Sequence, residues 1–66
     1  MQIFLNGQTL QLQDATSLAQ LLELQGFAQR RVAVEVNMSI VPKSRHGEHL
    51  LNEGDKVEIV HALGGG

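Results

Sequence analysis

The stretch Lys56-Val57-Glu58-Ile59-Val60-His61-Ala62-Leu63-Gly64-Gly65-Gly66, residues 56–66, joins an alternating strand pattern to three glycines. Val57 and Ile59 fall on one face of the predicted strand, and Glu58 and Val60 on the other, because successive side chains of a strand point to opposite faces. One face therefore packs on a core. If this strand lies beside the first strand of the chain, the pair is parallel and central, and the other elements are arranged around it.

The first segment of the chain predicts a β-hairpin. Met1–Leu5 is a short apolar run typical of a buried strand, and Asn6-Gly7 follows it. Asn-Gly favours a two-residue type I′ turn, because both central residues of that turn need positive φ. Residues 9–13 then alternate, with Leu10 and Leu12 on one face, which predicts the second strand.

The hydrophobic period then changes and predicts one helix, Ser17–Gln25. Three leucines have the spacing of a single apolar stripe: Leu18, Leu21 and Leu22. Ser17 followed by Gln20 fits a capping box at the start of the helix. Gly26 is placed to end it in the left-handed conformation, with Phe27 returning toward the apolar stripe.

The following residues predict short strands. Val32–Val36 places its three valines on the core face, and Asn37–Ser39 reads as a turn. Ile40-Val41 is a brief extended piece that Pro42 stops, since proline cannot donate to a strand ladder. Residues 43–48 are polar and are predicted to be irregular.

Together these elements predict an α+β fold in which one main helix packs across a mixed sheet of four to five strands. A helix with one apolar stripe and strands with one apolar face bury these surfaces most economically against each other. With the last strand beside the first, the arrangement resembles a ubiquitin-like β-grasp. Sixty-six residues allow a single domain, 1–66, in which we expect residues 62–66 to form a flexible glycine tail.

The composition disfavours several classes of function. The net charge of -2 gives no electrostatic basis for binding nucleic acid. The absence of Cys removes disulfides, cysteine-based zinc sites and thiol nucleophiles. No apolar stretch approaches the roughly 20 residues that span a bilayer, and residues 1–6 lack the basic region of an export signal. We expect a cytoplasmic protein, monomeric when isolated, that binds neither nucleic acid nor membrane.

A small apolar patch is expected on the outer face of the sheet. With the last strand beside the first, Phe4 and Val60 lie next to each other there, and Leu63 lies beyond them. Exposed apolar patches of sufficient size mark partner sites, although roughly half of any protein surface is apolar. We interpret Phe4, Val60 and Leu63 as a partner-docking patch, with ordinary surface exposure as the alternative.

The histidines give little indication of a metal site or of a catalytic site. His46 and His49 have the spacing of two metal ligands on one helical turn, but Gly47 and Pro42 disfavour a helix there and no third ligand is suitably spaced. We therefore predict no metal site. His61 lies near the strand end, where it is either a solvated residue or one that orients the tail. No nucleophile–base arrangement is recognisable, so the residues predict no enzyme active site.

The glycines at the end are the remaining candidate for chemistry. Gly64, Gly65 and Gly66 have no side chains, so they can enter a narrow channel and adopt backbone angles barred to other residues. Extended, residues 63–66 reach roughly 13 Å. A free carboxylate on Gly66 is ionised at neutral pH and can attack the α-phosphate of ATP, which activates the acyl carbon for transfer. The alternative is a linker end or a cloning scar.

Several segments together carry a resemblance to a known family. In chain order they are Asn6-Gly7, Ser17-Leu18-x-x-Leu21-Leu22, Val32–Asn37, Ile40–Lys43 and Glu53–Gly66. The last is the most specific, because Gly-Asp precedes a strand that leads into the glycines. In this order the segments resemble the ThiS family of sulfur carriers of thiamin biosynthesis, which are β-grasp proteins. His46 departs from the pattern, since relatives often carry an aromatic residue there, and the packing of its loop stays open.

The resemblance implies a sulfur-transfer cycle in which the chain is a protein co-substrate and not an enzyme. A ThiF-type adenylyltransferase would use MgATP to convert the Gly66 carboxylate into an acyl-adenylate. Sulfur mobilised by a cysteine desulfurase would displace AMP to give a thiocarboxylate, and a ThiG-type thiazole synthase would take that sulfur into the thiazole ring. Gly64 and Gly65 would thread the partners' active sites, and the chain itself would bind no cofactor.

Three alternatives stay open at the level of sequence. The small subunit of molybdopterin synthase is similar in fold and also ends in Gly-Gly, so the chain could belong to that enzyme. A ubiquitin-like adaptor would act through Phe4 and Val60 without sulfur. A sulfur carrier for another metabolite would share every feature described above.

Overall fold

Five strands and one α-helix make up the fold in a computed structural model that describes residues 1–61. The elements are β1 (Gln2–Leu5), β2 (Gln8–Gln11), α1 (Leu18–Leu24), β3 (Val32–Val36), β4 (Ser39–Ile40) and β5 (Lys56–His61). The strands form one mixed sheet in the order β2-β1-β5-β3-β4. β5 is central, parallel to β1 and antiparallel to β3. The predicted α+β fold with a central parallel pair is therefore confirmed.

The start of α1 is fixed by the predicted capping box. The Ser17 hydroxyl accepts a hydrogen bond from the Gln20 N–H at 3.1 Å, and the Gln20 carboxamide oxygen accepts one from the Ser17 N–H at 2.8 Å. These two bonds satisfy backbone donors that a helix N-terminus leaves without a partner. The helix has 7 residues, and no helix of the described residues is long enough to cross a membrane.

The end of α1 is a Schellman motif built around Gly26. Its φ of 82° lies in the left-handed region, where glycine carries no Cβ penalty. The Gly26 N–H donates to the Glu23 carbonyl at 3.2 Å, and the Phe27 N–H donates to the Leu22 carbonyl at 2.7 Å. These bonds satisfy the last carbonyls of the helix and turn the chain back over its apolar side, as the sequence predicted.

The core lies between the helix and the inner face of the sheet. Its buried members come from the helix, from five strand positions in β1, β3 and β5 and from two loop residues: Ile3, Leu18, Leu21, Leu22, Val34, Val36, Val41, Leu51, Val57 and Ile59. Val57 and Ile59 point inward, whereas Glu58 and Val60 are exposed. The alternation predicted for β5 is therefore confirmed, and burying each large apolar side chain stabilises the fold by roughly 1.5–3 kcal/mol.

The first hairpin differs from the prediction only in its bounds. β1 begins at Gln2 and not at Met1, and β2 spans Gln8–Gln11 and not residues 9–13. The pairing nonetheless continues past the strand ends. The Leu12 N–H donates to the Met1 carbonyl at 2.8 Å, and the N-terminal ammonium donates to the Leu12 carbonyl at 2.6 Å.

Candidate functional site

β5 is the element that leads into the glycines, and the sheet holds it on both sides. Leu5 pairs with Val57 on the β1 side, and Val32 pairs with His61 on the β3 side. The last described residue, His61, is thus still part of the ladder. The predicted site residues Leu63, Gly64, Gly65 and Gly66 lie outside the described residues, as does the predicted tail 62–66.

The side chain of Asn6 supplements the pairing of β5. Its carboxamide oxygen accepts from the Ile59 N–H at 2.8 Å, and its Nδ2 donates to the Ile59 carbonyl at 3.3 Å. The Asn6 N–H still donates to the Val57 carbonyl at 2.9 Å, but Asn6 is also the first residue of the β1–β2 turn, with φ of 49°, so the main chain turns toward β2 after it. The side-chain amide takes the place of a backbone peptide and extends the parallel ladder by one step.

Asn37 binds the first residue of β5 in a similar way. Its carboxamide oxygen accepts from the Lys56 N–H at 3.0 Å, and its Nδ2 donates to Asp55 Oδ1 at 3.0 Å. Asp55 is buried, and its second oxygen accepts from the Asn52 N–H at 2.8 Å. We call the side-chain hydrogen bonds from Asn6 and Asn37 to the backbone of β5 the asparagine ties. Sequence reasoning missed both of them, because the turn signal does not show which distant strand the asparagine side chain reaches.

Phe4 and Val60, the two predicted docking residues that the structure describes, share the outer face of the sheet but lie apart. Phe4 is half-buried and pairs with Lys56, whereas Val60 is 57% exposed and pairs with Ala33. Val60 lies four residues beyond Lys56 in β5, roughly 13 Å at 3.3 Å per residue. The prediction that Phe4 and Val60 lie next to each other is therefore wrong, because the parallel register offsets the two strands.

The outer face between these residues is mixed in character. Glu35 and Glu58 pair directly across β3 and β5, and like charges in that position repel each other. Ile40, which is 69% exposed, pairs with Glu35 on the edge strand. Apolar side chains on this face are therefore separated by carboxylates, and the predicted role of Phe4, Val60 and Leu63 in docking stays a prediction.

A second surface lies beside the end of β5, and we call it the basic groove. Its volume is about 340 Å³. Four apolar residues, three cationic residues and one histidine line it: Leu22, Phe27, Ala28, Val32, Arg30, Arg31, Lys43 and His46. The Phe27 ring stands edge-on to the His61 ring, with 5.7 Å between the ring centroids. Sequence reasoning did not predict this groove, because its residues come from the helix end, the following loop and the segment after β4.

The histidines of the loop have structural partners. His46 is buried, and its Nε2 lies 2.9 Å from the Val41 carbonyl oxygen. The chain from Lys43 to Arg45 forms a 3₁₀ turn in the segment that was expected to be irregular. The His46 and His49 carbonyls accept from the first helical N–H groups, those of Ala19 and Leu18. The His46 backbone therefore holds this loop to the start of α1, while its buried side chain bonds to Val41. This answers the question that its departure from the family pattern raised.

The described residues offer little for catalysis by themselves. Within residues 1–61, no group of three or more His, Asp or Glu side chains is arranged to hold a metal ion. All buried side-chain polar atoms in the same range have hydrogen-bond partners. What this body presents is a firmly held strand leading into the glycines, with two different surfaces beside it.

Comparisons with known proteins agree on one family. A family profile described as the ThiS family matches residues 2–66. The chain is 30% identical over 66 residues to the sulfur carrier protein ThiS of Escherichia coli strain K12, and the match covers 100% of both. Among solved structures, the thiamine biosynthesis protein ThiS of Geobacter metallireducens is similar with a TM-score of 0.87 and 26% identity, covering 100% of both chains.

Longer relatives match as well. The chain is 42% identical over 66 residues to a thiazole synthase of Magnetococcus marinus and 41% identical to one of Paramagnetospirillum magneticum. It covers all of its own length in both cases but only 20% of each thiazole synthase. A segment like this chain is therefore part of much longer proteins in these two organisms.

Proposed function

The chain belongs to the ThiS family, and from that premise we propose that it is a sulfur carrier whose Gly66 becomes a thiocarboxylate for thiazole formation in thiamin biosynthesis. The observation that carries the proposal is the match to the Escherichia coli ThiS sulfur carrier over the whole of both chains. The match extends to Gly66 in the family profile. It therefore includes the glycines as well as the β-grasp body.

The composition supports placing the sulfur on Gly66. The chain has no Cys, so it offers no thiol on which sulfur could be carried. Thioethers such as those of its two methionines do not exchange sulfur. A carboxylate that is first activated can accept a sulfur nucleophile, and glycine leaves that carboxylate unobstructed.

The proposed chemistry has two steps at one carbon. A Gly66 carboxylate oxygen attacks the α-phosphate of ATP, and pyrophosphate leaves, which gives an acyl-adenylate. A thiol reduces the persulfide that the desulfurase forms from cysteine, which releases hydrosulfide and leaves a disulfide. The hydrosulfide then attacks the acyl carbon and AMP leaves, so that a C–S bond replaces the C–O bond to phosphate. A ThiF-type adenylyltransferase with MgATP performs the first step, and a cysteine desulfurase supplies the sulfur.

The body of the chain serves as a handle in this scheme and not as an enzyme. The two asparagine ties hold β5 at Lys56 and at Ile59, so the strand that precedes the glycines has a fixed position. A partner that recognises the body therefore finds the described part of β5 in a defined place. Preorganisation of this kind lowers the entropy that is lost when the complex forms.

The proposed acceptor of the sulfur is a ThiG-type thiazole synthase. Two proteins named thiazole synthase contain a segment more than 40% identical to this chain. Joining two modules in one chain raises their effective concentration toward each other, which is an advantage when one must deliver a group to the other. These names favour thiazole formation over a molybdopterin synthase subunit, an adaptor or another acceptor.

Deletion of Gly66 tests the proposal. We expect the shortened protein to fold and to show no transfer of AMP from radiolabelled ATP when it is incubated with a ThiF-type adenylyltransferase. Gly47→Ala is the control, because an added Cβ at Gly47 has no atom within 4 Å and its φ is not positive. The control should be adenylated like the original chain. Adenylation of the shortened protein at the original rate would overturn the assignment of Gly66.

A further inference from the structure

The positive charges of the chain are concentrated in the basic groove. Arg30, Arg31 and Lys43 are three of the five Lys and Arg residues, in a chain whose net charge is -2. All three are exposed, and no Asp or Glu lines the groove with them. Within residues 1–61, the one salt bridge joins the N-terminal ammonium to Asp14. The described body therefore leaves the charge of the groove without a carboxylate partner of its own.

The floor of the groove is apolar. Leu22 belongs to the buried core, and Phe27 and Val32 pack against that core while remaining partly accessible. An apolar centre surrounded by charged side chains is the usual anatomy of a protein docking surface. Arg side chains favour carboxylate partners in particular, because the planar guanidinium can donate two parallel hydrogen bonds.

The groove adjoins the point at which β5 ends. Val32 pairs with His61, and the Phe27 ring contacts the His61 ring. A partner seated in the groove therefore lies beside His61, the last described residue of β5, which precedes the glycines in sequence. The outer face of the sheet differs from the groove in charge, because it presents the carboxylates of Glu35 and Glu58.

We propose that the basic groove receives an acidic segment of the thiazole synthase that accepts the sulfur. An apolar side chain of that segment rests on Phe27 and Val32, and its carboxylates face Arg30, Arg31 and Lys43. The identity of the partner rests on the proposed function, whereas its acidic character follows from the charge of the groove. The contact positions the body so that the glycines are directed at the acceptor site.

Binding to a purified ThiG-type thiazole synthase tests the groove. The titrated chain lacks Gly66, and neither ATP nor a sulfur source is present, so modification does not enter the measurement. Arg31→Gln should weaken binding about threefold, and Arg30→Gln, Arg31→Gln and Lys43→Gln combined about twentyfold, mainly by slowing association. The combined variant should also lose most of the salt dependence of binding, because salt screens exposed charges.

Gln8→Glu is the matched control for Arg31→Gln. It changes the net charge by the same single unit at an exposed residue of β2, the edge strand on the opposite side of β5 from β3. We expect less than about a twofold change. An equal loss of affinity in both variants, or no loss in either, would overturn the proposed role of the groove even if Gly66 carries sulfur. The opposite outcome is also distinguishable. If binding depends on the groove but Gly66 is never modified, docking in the groove is supported and the proposed chemistry at Gly66 is refuted.

Discussion

The two hairpin turns of the fold have the same geometry but different sequences. In Asn6-Gly7 the φ angles are 49° and 84°, and in Asn37-Met38 they are 51° and 73°. Both are two-residue connections with positive φ at each central residue, which defines type I′. Gly accepts this conformation without penalty, whereas Met bears a Cβ clash of roughly 1–2 kcal/mol.

What the turns share is the asparagine, and this explains why the second turn tolerates methionine. Each asparagine places its carboxamide oxygen on a backbone N–H of β5, Asn6 at Ile59 and Asn37 at Lys56. The ties stabilise the turn conformation from outside the turn, so the second central residue need not be optimal. Met38 is 91% exposed, so its side chain adds little packing that could compensate. The comparison teaches that β5 is fixed by the turns of both hairpins.

Asn6→Ala should have the largest effect on stability. It removes both bonds to Ile59, a buried residue whose N–H and carbonyl would lose their partners, and it places Ala at a positive φ. We expect the free energy of unfolding in urea to fall by about 2–3 kcal/mol. Asn6→Asp is the control. It keeps the acceptor for the Ile59 N–H and should lower the free energy of unfolding by less than Asn6→Ala. A loss below about 0.5 kcal/mol for Asn6→Ala would show that the tie is unimportant.

Asn37→Ala should destabilise the protein less, by about 1–1.5 kcal/mol in the same titration. Both substitutions place Ala at a positive φ, so the difference lies in the lost bonds. The bond to the Lys56 N–H is exposed, so water can replace the asparagine oxygen, and Asp55 keeps its bond from the Asn52 N–H when it loses the one from Nδ2. In the first turn the Asp variant should be more stable than the Ala variant, whereas at Asn37 the order should be reversed. Asn37→Asp brings a second carboxylate against Asp55 Oδ1, now 3.0 Å from Nδ2, and should cost more than Asn37→Ala. If the Asp variant is the more stable one at both turns, the hydrogen bond from Asn37 Nδ2 to Asp55 Oδ1 is contradicted.

Exchanging the second residues of the turns should give small effects of opposite sign. Gly7→Met should lower the free energy of unfolding by about 1 kcal/mol, because positive φ penalises a side chain. An added Cβ at Gly7 has no atom within 4 Å, so crowding does not contribute. Met38→Gly should raise the free energy of unfolding by about 0.5 kcal/mol, since relief of strain outweighs the greater freedom of unfolded glycine. Changes of the same sign would mean that the turns differ in conformation.

Sequence reasoning succeeded where the signal is local. The capping box at Ser17, the left-handed Gly26 and the Asn6-Gly7 turn were each predicted from residues a few positions apart. The alternation in β5 gave its two faces correctly. Asn37–Ser39 was predicted only as a turn, because methionine at its second position carries no type I′ signal.

Features that depend on register or on distant segments were not predictable in the same way. The side chain of Asn6 reaches a strand 53 residues away in sequence. The offset between β1 and β5 separates Phe4 from Val60, and alternation alone fixes faces but not offsets. The basic groove assembles residues from positions 22 to 46, and no single stretch of sequence shows it.

The central claim is that Gly66 carries sulfur, and the intact mass of the protein isolated from cells that make thiamin tests it most directly. We predict a population whose mass is increased by the replacement of one oxygen atom by one sulfur atom, with fragmentation that places the change on Gly66. The population should disappear in cells that lack the ThiF-type adenylyltransferase. A mass that always equals that of the unmodified chain, in the presence of active partners, would contradict the account.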